Sequence, residues 1–166
     1  DRWMEVLNTP AVTHHLGGVQ ERHQVEARFA RNAAGMAKDG YGFWYLQTKA
    51  DGLLIGHCGM SPIDVEAAGP VLNAGVQIGW SIAESHWRQG FAIEAATAVI
   101  EMAFDRFGKN EVFAQTSDAN RASWTMMEKL GMDRAAELDY VDPNYPPEEN
   151  PTIIYRLKRE DWRARK

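Results

Sequence analysis

The sequence predicts an α+β fold with a mixed, mostly antiparallel central sheet that contains one parallel strand pair. From Gly42 onward the apolar spacing changes from helical to period two, and an Asp51-Gly52 turn joins two such segments into an antiparallel hairpin. Later in the chain a strand, an apolar-striped helix and another strand follow one another, which makes a βαβ crossover and therefore a parallel pair. The 166 residues fit one domain, which we predict to span residues 1–166.

Two helices are predicted ahead of the sheet, over residues 1–7 and about 20–38. The first ends before Pro10, and the second is expected to keep Arg28 on its solvent-facing side. His14 and His15 lie between the helices. Adjacent histidines in a loop without a nearby carboxylate cluster are more typical of a surface than of a metal site, so no metal is predicted.

The remaining elements follow from local patterns. Strands are predicted over residues 43–48, 53–60, 74–82, 111–116, 132–140 and 152–157, from their aromatic and β-branched content. An apolar stripe predicts a helix from Ala92 to Phe107, and another runs from Arg121 to Leu130 with Asn120 as its N-cap. An acidic, proline-rich loop over residues 142–150 joins the last two strands.

Composition excludes several classes of protein. A net charge of -5 and a pI near 5.5 argue against a general nucleic-acid binder. No apolar run has the length of a membrane span, and the N-terminus lacks the layout of a signal peptide. Since Cys58 is the only cysteine, no internal disulfide can form. These features together predict a cytoplasmic protein.

One stretch is a candidate anion site, and we call it the 87–92 loop: Trp87-Arg88-Gln89-Gly90-Phe91-Ala92. It reads as a glycine-containing turn that opens a long helix. The first backbone N–H groups of a helix have no partner within the helix, and they lie at the positive end of its dipole. Arg88 adds a full positive charge, so the loop suits a phosphate. The simpler interpretation is that Gly90 only makes the turn.

Three features in fixed order carry a resemblance to a known family. They are Gln77-Ile78-Gly79-Trp80; the 87–92 loop with Glu94-Ala95; and Asn120-Arg121-Ala122-Ser123 with Glu128-Lys129-Leu130-Gly131-Met132. In this order and spacing they resemble the GNAT superfamily of acyl-CoA-dependent N-acetyltransferases, in its ribosomal-protein N-terminal acetyltransferase-like branch. The resemblance extends over essentially the whole chain.

The resemblance implies a three-layer fold with helices on both faces of the sheet and a central parallel pair that splays into a cofactor cleft. The family's first strand is missing, since Asp1 aligns with the start of its first helix. The implied cofactor is acetyl-CoA, and the implied partner is a primary amine, either a protein N-terminus or a small amine, acetylated by direct transfer. Neither nucleic acid nor membrane is expected as a partner, and a homodimer is compatible with the aromatic content.

The resemblance also implies roles for particular residues. The cofactor-binding set is Val76, Ile78, Trp80, Arg88, Gln89, Gly90, Phe91, Ala92 and Asn120, with the pyrophosphate on the loop amides. Ser123 is the candidate acid for the departing thiolate, and His57 is a candidate base. Three plainer interpretations stay open: Asn120 as only an N-cap, Ser123 as only its N3 partner, and His57 as structural.

The sequence departs from the family pattern at two chemically important places. Met127 occupies the position of a tyrosine that acts as the acid in many members, and Gln77 that of a common glutamate base. Neither can transfer a proton, so amine deprotonation through water, or entry of a neutral amine, remains open. These departures leave open a non-catalytic acyl-CoA-binding regulatory module. A third possibility is an interaction domain in which the 87–92 loop binds no phosphate. The acceptor pocket is expected near His14–Gly18 and the acidic loop, whose carboxylates would suit a cationic amine.

Overall fold

The computed structural model describes residues 1–165 and contains a six-stranded mixed sheet with strand order β1-β2-β3-β4-β6-β5. Its strands are β1 Phe43–Gln47, β2 Leu54–Pro62, β3 Val76–Ile82, β4 Glu111–Ser117, β5 Asp133–Arg134 and β6 Thr152–Lys158. The β3/β4 pair is parallel, and the other four neighbouring pairs are antiparallel. The predicted hairpin and βαβ crossover are both confirmed.

Seven α-helices surround the sheet in the described chain. They are α1 Arg2–Leu7, α2 Pro10–Thr13, α3 Arg22–Asp39, α4 Gly69–Asn73, α5 Phe91–Glu101, α6 Arg121–Lys129 and α7 Arg159–Ala164. A π-helical turn, Met102–Arg106, continues α5. The sequence did not predict α2, α4 or α7, which are short. None of the described helices is both long and apolar enough to cross a membrane.

Apolar side chains from alternate strand positions build cores on both faces of the sheet. On one face, α5 and α6 cover a large cluster that includes Ile78, Ala114 and Met127. Phe113, which points the opposite way from Ala114, joins a smaller cluster on the other face. A third cluster brings Trp3 of α1 together with α3 and β2. Helices therefore lie on both sides of the sheet, as the predicted fold class requires.

The prediction of a strand over residues 132–140 was wrong. Asp133 and Arg134 pair with β6, the chain then forms a 3₁₀ turn at Ala136–Leu138, and Tyr140 makes only an isolated bridge to Thr152. The Asp139 carboxylate explains the interruption. Its Oδ1 accepts a hydrogen bond from the backbone N–H of Ile154 at 3.1 Å, so a side chain takes the place of a strand carbonyl.

Candidate active site

A cavity opens where the parallel strands β3 and β4 separate. They pair at a single register position, Gln77 with Phe113, and diverge toward their C-terminal ends. The cavity measures about 440 Å³. The described residues that line it are Trp3, Leu16, Arg28, Phe29, Asn32, Phe43, Tyr45, His57, Gln77, Ile78, Gly79, Trp80, Ser81, Gln115, Thr116, Asn120, Ser123, Met127 and Tyr145. It therefore runs from α1 and α3 through the sheet to α6.

A chain of amide side chains spans the separating strands at the floor of the cavity. Gln115 of β4 donates from Nε2 to Oε1 of Gln77 on β3 at 2.7 Å. The Tyr140 hydroxyl donates to Oε1 of Gln115 at 2.8 Å, and burial raises the pKa of this phenol to about 12. Gln77, at the position of the family's glutamate, thus takes part in a neutral hydrogen-bonded bridge across the gap. Sequence reasoning missed Gln115, because a glutamine in a strand carries no pattern of its own.

The 87–92 loop lies beyond the C-terminal end of β3 and has two residues with left-handed backbone. Arg88 has φ 60°, which is uncommon for a residue with a side chain, and Gly90 has φ 84°. Gly90 is the N-cap of α5, and its carbonyl accepts from Glu94 N–H at 3.1 Å. Left-handed residues in such turns gather successive N–H groups into a concave anion site. The loop's backbone therefore has the shape that a phosphate requires.

The space and the anchoring of the loop agree with this interpretation. A Cβ built on Gly90 would meet no protein atom within 4 Å, so the room beside the glycine is open. Arg88, Gln89 and Gly90 are exposed, whereas Phe91 and Ala92 are half-buried. The Trp87 indole N–H donates to the Ile82 carbonyl at 2.6 Å and ties the loop to the end of β3. The residues present fit a bound pyrophosphate.

Helix α6 directs Asn120, Ser123 and Met127 into the cavity, because positions three and four apart share one helical face. The Asn120 side chain caps the helix, accepting from Ser123 N–H at 3.4 Å. The plainer interpretation of Asn120 as an N-cap is thus confirmed, and its place on the cavity wall allows a second role. Met127 is 2% exposed and contributes an apolar wall where the family tyrosine would stand.

The predicted residues of β3 divide between the cavity and the core. Ile78 and Trp80 both line the cavity, together with Gly79 between them. The side chain of Val76 instead packs in the core at 5% exposure, opposite Pro62 of β2. Only its backbone is left for the cofactor role that the resemblance implied.

His57 of β2 lines the opposite, aromatic side of the cavity. Its ring centroid lies 5.4 Å from that of Phe43 and 6.1 Å from that of Trp3. Desolvation by these neighbours, aided by the positive charge of Arg28, lowers the pKa of His57 to about 4. The imidazole is therefore neutral at pH 7, where it accepts hydrogen bonds but is a weak base.

The prediction that Arg28 faces solvent was wrong, because its side chain is half-buried and lines the cavity. Its guanidinium carbon lies 5.5 Å from the centroid of a Trp3 ring, and its Nη2 donates to Oε1 of Gln20 at 2.5 Å. Burial and the nearby Arg31 both lower the pKa of Arg28, so the site disfavours its charge. Amphipathic spacing alone could not distinguish this position from the wet face of α3.

The acidic loop over residues 142–150 contributes Tyr145 to the cavity, but its buried carboxylates point elsewhere. Asp142 is 6% exposed and accepts from the backbone N–H of Asn144 at 2.9 Å. Glu149 accepts from the Ser117 hydroxyl and lies 2.9 Å from Nδ1 of His15. No aspartate or glutamate of residues 1–165 lines the cavity. Two of the carboxylates expected to receive a cationic amine, Asp142 and Glu149, thus hold the loop, whereas Glu148 is exposed and lies outside the cavity lining.

The surroundings of His14 and His15 differ from what the sequence suggested. Candidate ligand atoms of His14, His15 and Glu149 lie within 4.8 Å of one another. The carboxylate was missed because it comes from a loop 134 residues further along the chain. His15 bridges to that loop near the mouth of the cavity, and the absence of a metal stays a prediction.

Comparison with known proteins agrees with this arrangement. Residues 1–133 match the family described as the acetyltransferase (GNAT) domain. The uncharacterized protein YkkB of Bacillus subtilis is 28% identical over 127 residues, which cover 76% of this chain and 71% of that protein. An FsC-acetyl coenzyme A-N(2)-transacetylase of Aspergillus fumigatus is 26% identical over 125 residues, 74% of this chain and 52% of that enzyme.

Solved structures share the fold at low sequence identity. An acetyltransferase from Agrobacterium tumefaciens superposes with a TM-score of 0.75 at 22% identity, covering 95% of this chain and 84% of that one. An aminoglycoside acetyltransferase AAC(6')-Ib in complex with coenzyme A gives 0.74 at 17%, covering 98% and 91%. A ribosomal-protein-alanine N-acetyltransferase from Brucella melitensis gives 0.70 at 15%, covering 92% and 90%. At these identities the likeness concerns the fold alone.

Proposed function

The chain belongs to the GNAT acetyltransferase family, and from this premise we propose that it transfers an acetyl group directly to a primary amine. It is an N-acetyltransferase, and its acyl donor is acetyl-CoA. The observation that carries the proposal is the cavity between the splayed strands β3 and β4, with an anion-binding loop at the end of β3 and a hydroxyl on α6. We propose that residues 1–166 act as one catalytic domain.

We assign cofactor binding to the 87–92 loop and to the cavity walls. The amides of the loop and the charge of Arg88 would hold the pyrophosphate. The pantetheine arm would be held by the side chain of Asn120 and by the backbone of β3 between Val76 and Trp80. Because β3 and β4 pair at only one register position, some of their backbone groups are left unpaired, and the arm would form hydrogen bonds with these. Acetyl-CoA supplies a thioester whose carbonyl carbon accepts the amine.

In this proposal the backbone of β3 and the Ser123 hydroxyl act on the thioester, and His57 contacts the amine. Backbone N–H groups of β3 stabilise the negative charge that develops on the carbonyl oxygen, since preorganised dipoles cost little to align. The Ser123 hydroxyl gives a proton to the departing thiolate, which Met127 cannot do. What supports this role is that Ser123 lines the cavity one helical turn from Asn120, and that its backbone rather than its hydroxyl makes the cap.

His57 is our candidate for the side chain that contacts the attacking amine, but its low pKa limits its strength as a base. With a pKa of about 4 it cannot take a proton efficiently from an ammonium ion, whose pKa is near 10. We propose that the ammonium ion loses one proton to water before it enters, and that neutral His57 then accepts a hydrogen bond from the neutral amine. The proton that the nitrogen sheds as the amide forms would pass to Ser123 and restore the hydroxyl that has protonated the departing thiolate. This route requires no carboxylate base, in keeping with the neutral Gln77–Gln115 bridge.

Several finer assignments are part of the proposal. We propose the ribosomal-protein N-terminal acetyltransferase-like branch from the three motifs in fixed order, and a ribosomal-protein-alanine N-acetyltransferase is among the structures that share the fold. Candidate acceptors are a protein N-terminus or a small amine. We propose a cytoplasmic location, because buried Cys58 has no disulfide partner and burial raises the pKa of its thiol to about 12. The expected homodimer stays a prediction.

Two measurements test the proposal. Calorimetric titration with acetyl-CoA should show saturable binding, and release of free CoA thiol with a panel of N-terminal peptides and small amines should show turnover. A folded sample that fails to bind acetyl-CoA at millimolar concentration would refute the proposal. Binding without turnover on any amine would instead support the non-catalytic acyl-CoA-binding module.

A further inference from the structure

We infer that the acceptor is a primary amine that also carries a carboxylate, on an apolar or aromatic body, and that Arg28 binds this carboxylate. The inference rests on the proposed function and narrows its acceptor. It follows from the composition of the cavity wall on the side of α1, α3, β1 and β2, which we call the acceptor wall: Trp3, Arg28, Phe29, Phe43, Tyr45 and His57.

The charges of the cavity are unbalanced. Arg28 is its one permanently charged lining residue within residues 1–165, and none of the described carboxylates lies within ion-pair distance of it. A half-buried guanidinium without a counter-ion is costly, as the lowered pKa of Arg28 indicates. A carboxylate on the acceptor would supply the missing counter-charge, and a polycationic acceptor would be repelled.

The position of Arg28 is held in advance of binding. Gln20 accepts from the guanidinium, and Gln20 itself is fixed through its backbone to the side chain of buried Asn8, by bonds of 2.9 Å and 2.7 Å. The guanidinium carbon also lies over a Trp3 ring, 5.5 Å from its centroid. Since a guanidinium carries five donors, this arrangement leaves donors for a planar, bidentate carboxylate.

The rest of the acceptor wall selects an apolar body. Phe29 packs edge-on against Trp3 at 5.4 Å and against Tyr45 at 6.1 Å between ring centroids. His57 of β2 is neutral at pH 7, so the wall adds no second charge of either sign. An amino acid with an aromatic or large aliphatic side chain fits this combination, with its amine toward Gly79 and Ser123.

Matched acceptors and variants test the inference. We would compare kcat/KM for phenylalanine and leucine with kcat/KM for their amides. The aminophosphonate analogue of phenylalanine is included to test whether the site requires a carboxylate or also accepts a dianionic group. The variants are Arg28→Gln, Arg28→Lys and the control Lys38→Gln, which removes a positive charge from an exposed position on the same helix. Acetyl-CoA affinity is measured for each, and should not change.

We expect Arg28→Gln to lower kcat/KM for the acids roughly 10- to 100-fold, as loss of a charge-assisted hydrogen bond would, and to leave the amides within about twofold. Arg28→Lys should restore only part of the loss, because an ammonium lacks the planar fork. Lys38→Gln should leave both series unchanged. Equal effects of Arg28→Gln on acids and amides, or a preference of the native protein for amides or spermidine, would overturn the inference.

The outcomes for the inference and for the proposed function can be told apart. If acetyl-CoA does not bind, the proposed function fails. If it binds but no acceptor in the panel is turned over, the same acids and amides are titrated against tryptophan fluorescence, since Trp3 lies against Arg28. Acid binding that Arg28→Gln abolishes supports the inference, and its absence from the native protein refutes it.

Discussion

Replacement of Gly90 by alanine separates the role of this glycine in the turn from its role in cofactor binding. Gly90 has φ 84°, a conformation that costs an alanine about 1–2 kcal/mol. For a chain of this length that cost lowers Tm by about 2–8 °C. The new methyl group meets no protein atom within 4 Å, so no further loss of stability is expected. It would instead project beside the amides that we assign to the pyrophosphate.

Gly108 provides a matched control at the opposite end of the same helical segment. It has φ 63°, and a Cβ there also meets nothing within 4 Å. Both Gly90→Ala and Gly108→Ala should therefore lower Tm by similar amounts in scanning fluorimetry. By calorimetry, only Gly90→Ala should weaken acetyl-CoA binding, roughly 10- to 100-fold, because charge-assisted hydrogen bonds to the phosphates are lost. Equal acetyl-CoA affinity in the two variants would refute the assignment of the loop.

Three further predictions concern Ser123, His57 and Gly59. Ser123→Ala should lower kcat roughly 10²-fold with unchanged Tm if the hydroxyl is the acid; full turnover would reduce it to a cap partner. Because the pKa of folded His57, about 4, lies below the unfolded value near 6.5, the unfolded chain takes up the proton first. The contribution of His57 to the free energy of unfolding should thus be fully present above pH 6.5, and the free energy of unfolding should fall by up to about 3 kcal/mol as the pH is lowered to 4. Urea titrations of His57→Gln should show a smaller fall. Gly59→Ala would put a Cβ 2.1 Å from the Gly42 carbonyl oxygen, so it should yield little folded protein in circular dichroism, whereas Gly108→Ala folds.

The parts of the site that the sequence could predict are those that depend on local backbone chemistry. The 87–92 loop carries its own signal, since a glycine before an apolar helix predicts a left-handed turn and free amides. Asn120 was predicted as an N-cap for the same kind of reason. In both cases the residues that decide the structure lie within one helical turn of each other.

The acceptor side could not be predicted because its contacts join distant segments. Arg28 on an amphipathic helix looks the same whether its face meets solvent or a cavity, and only the placement of α1 beside α3 decides between them. Glu149 meets His15 across 134 residues. The prediction of a strand over residues 132–140 was wrong for the same reason, since no local pattern shows that the Asp139 carboxylate accepts a hydrogen bond from the Ile154 N–H.

This difference between the two sides of the cavity has a chemical reason. In our assignment the cofactor is bound mainly by main-chain groups, so its site needs only a backbone shape, and a few short motifs specify that shape. An acceptor must be recognised by side chains gathered from α1, α3, β1 and β2, where one substitution changes the charge of the whole wall. Exchanging Arg28 for a carboxylate would reverse the preferred charge of the acceptor while leaving the 87–92 loop and α6 intact. Our proposal is therefore that the acceptor preference of this chain is set on the acceptor wall, independently of the elements that identify the cofactor.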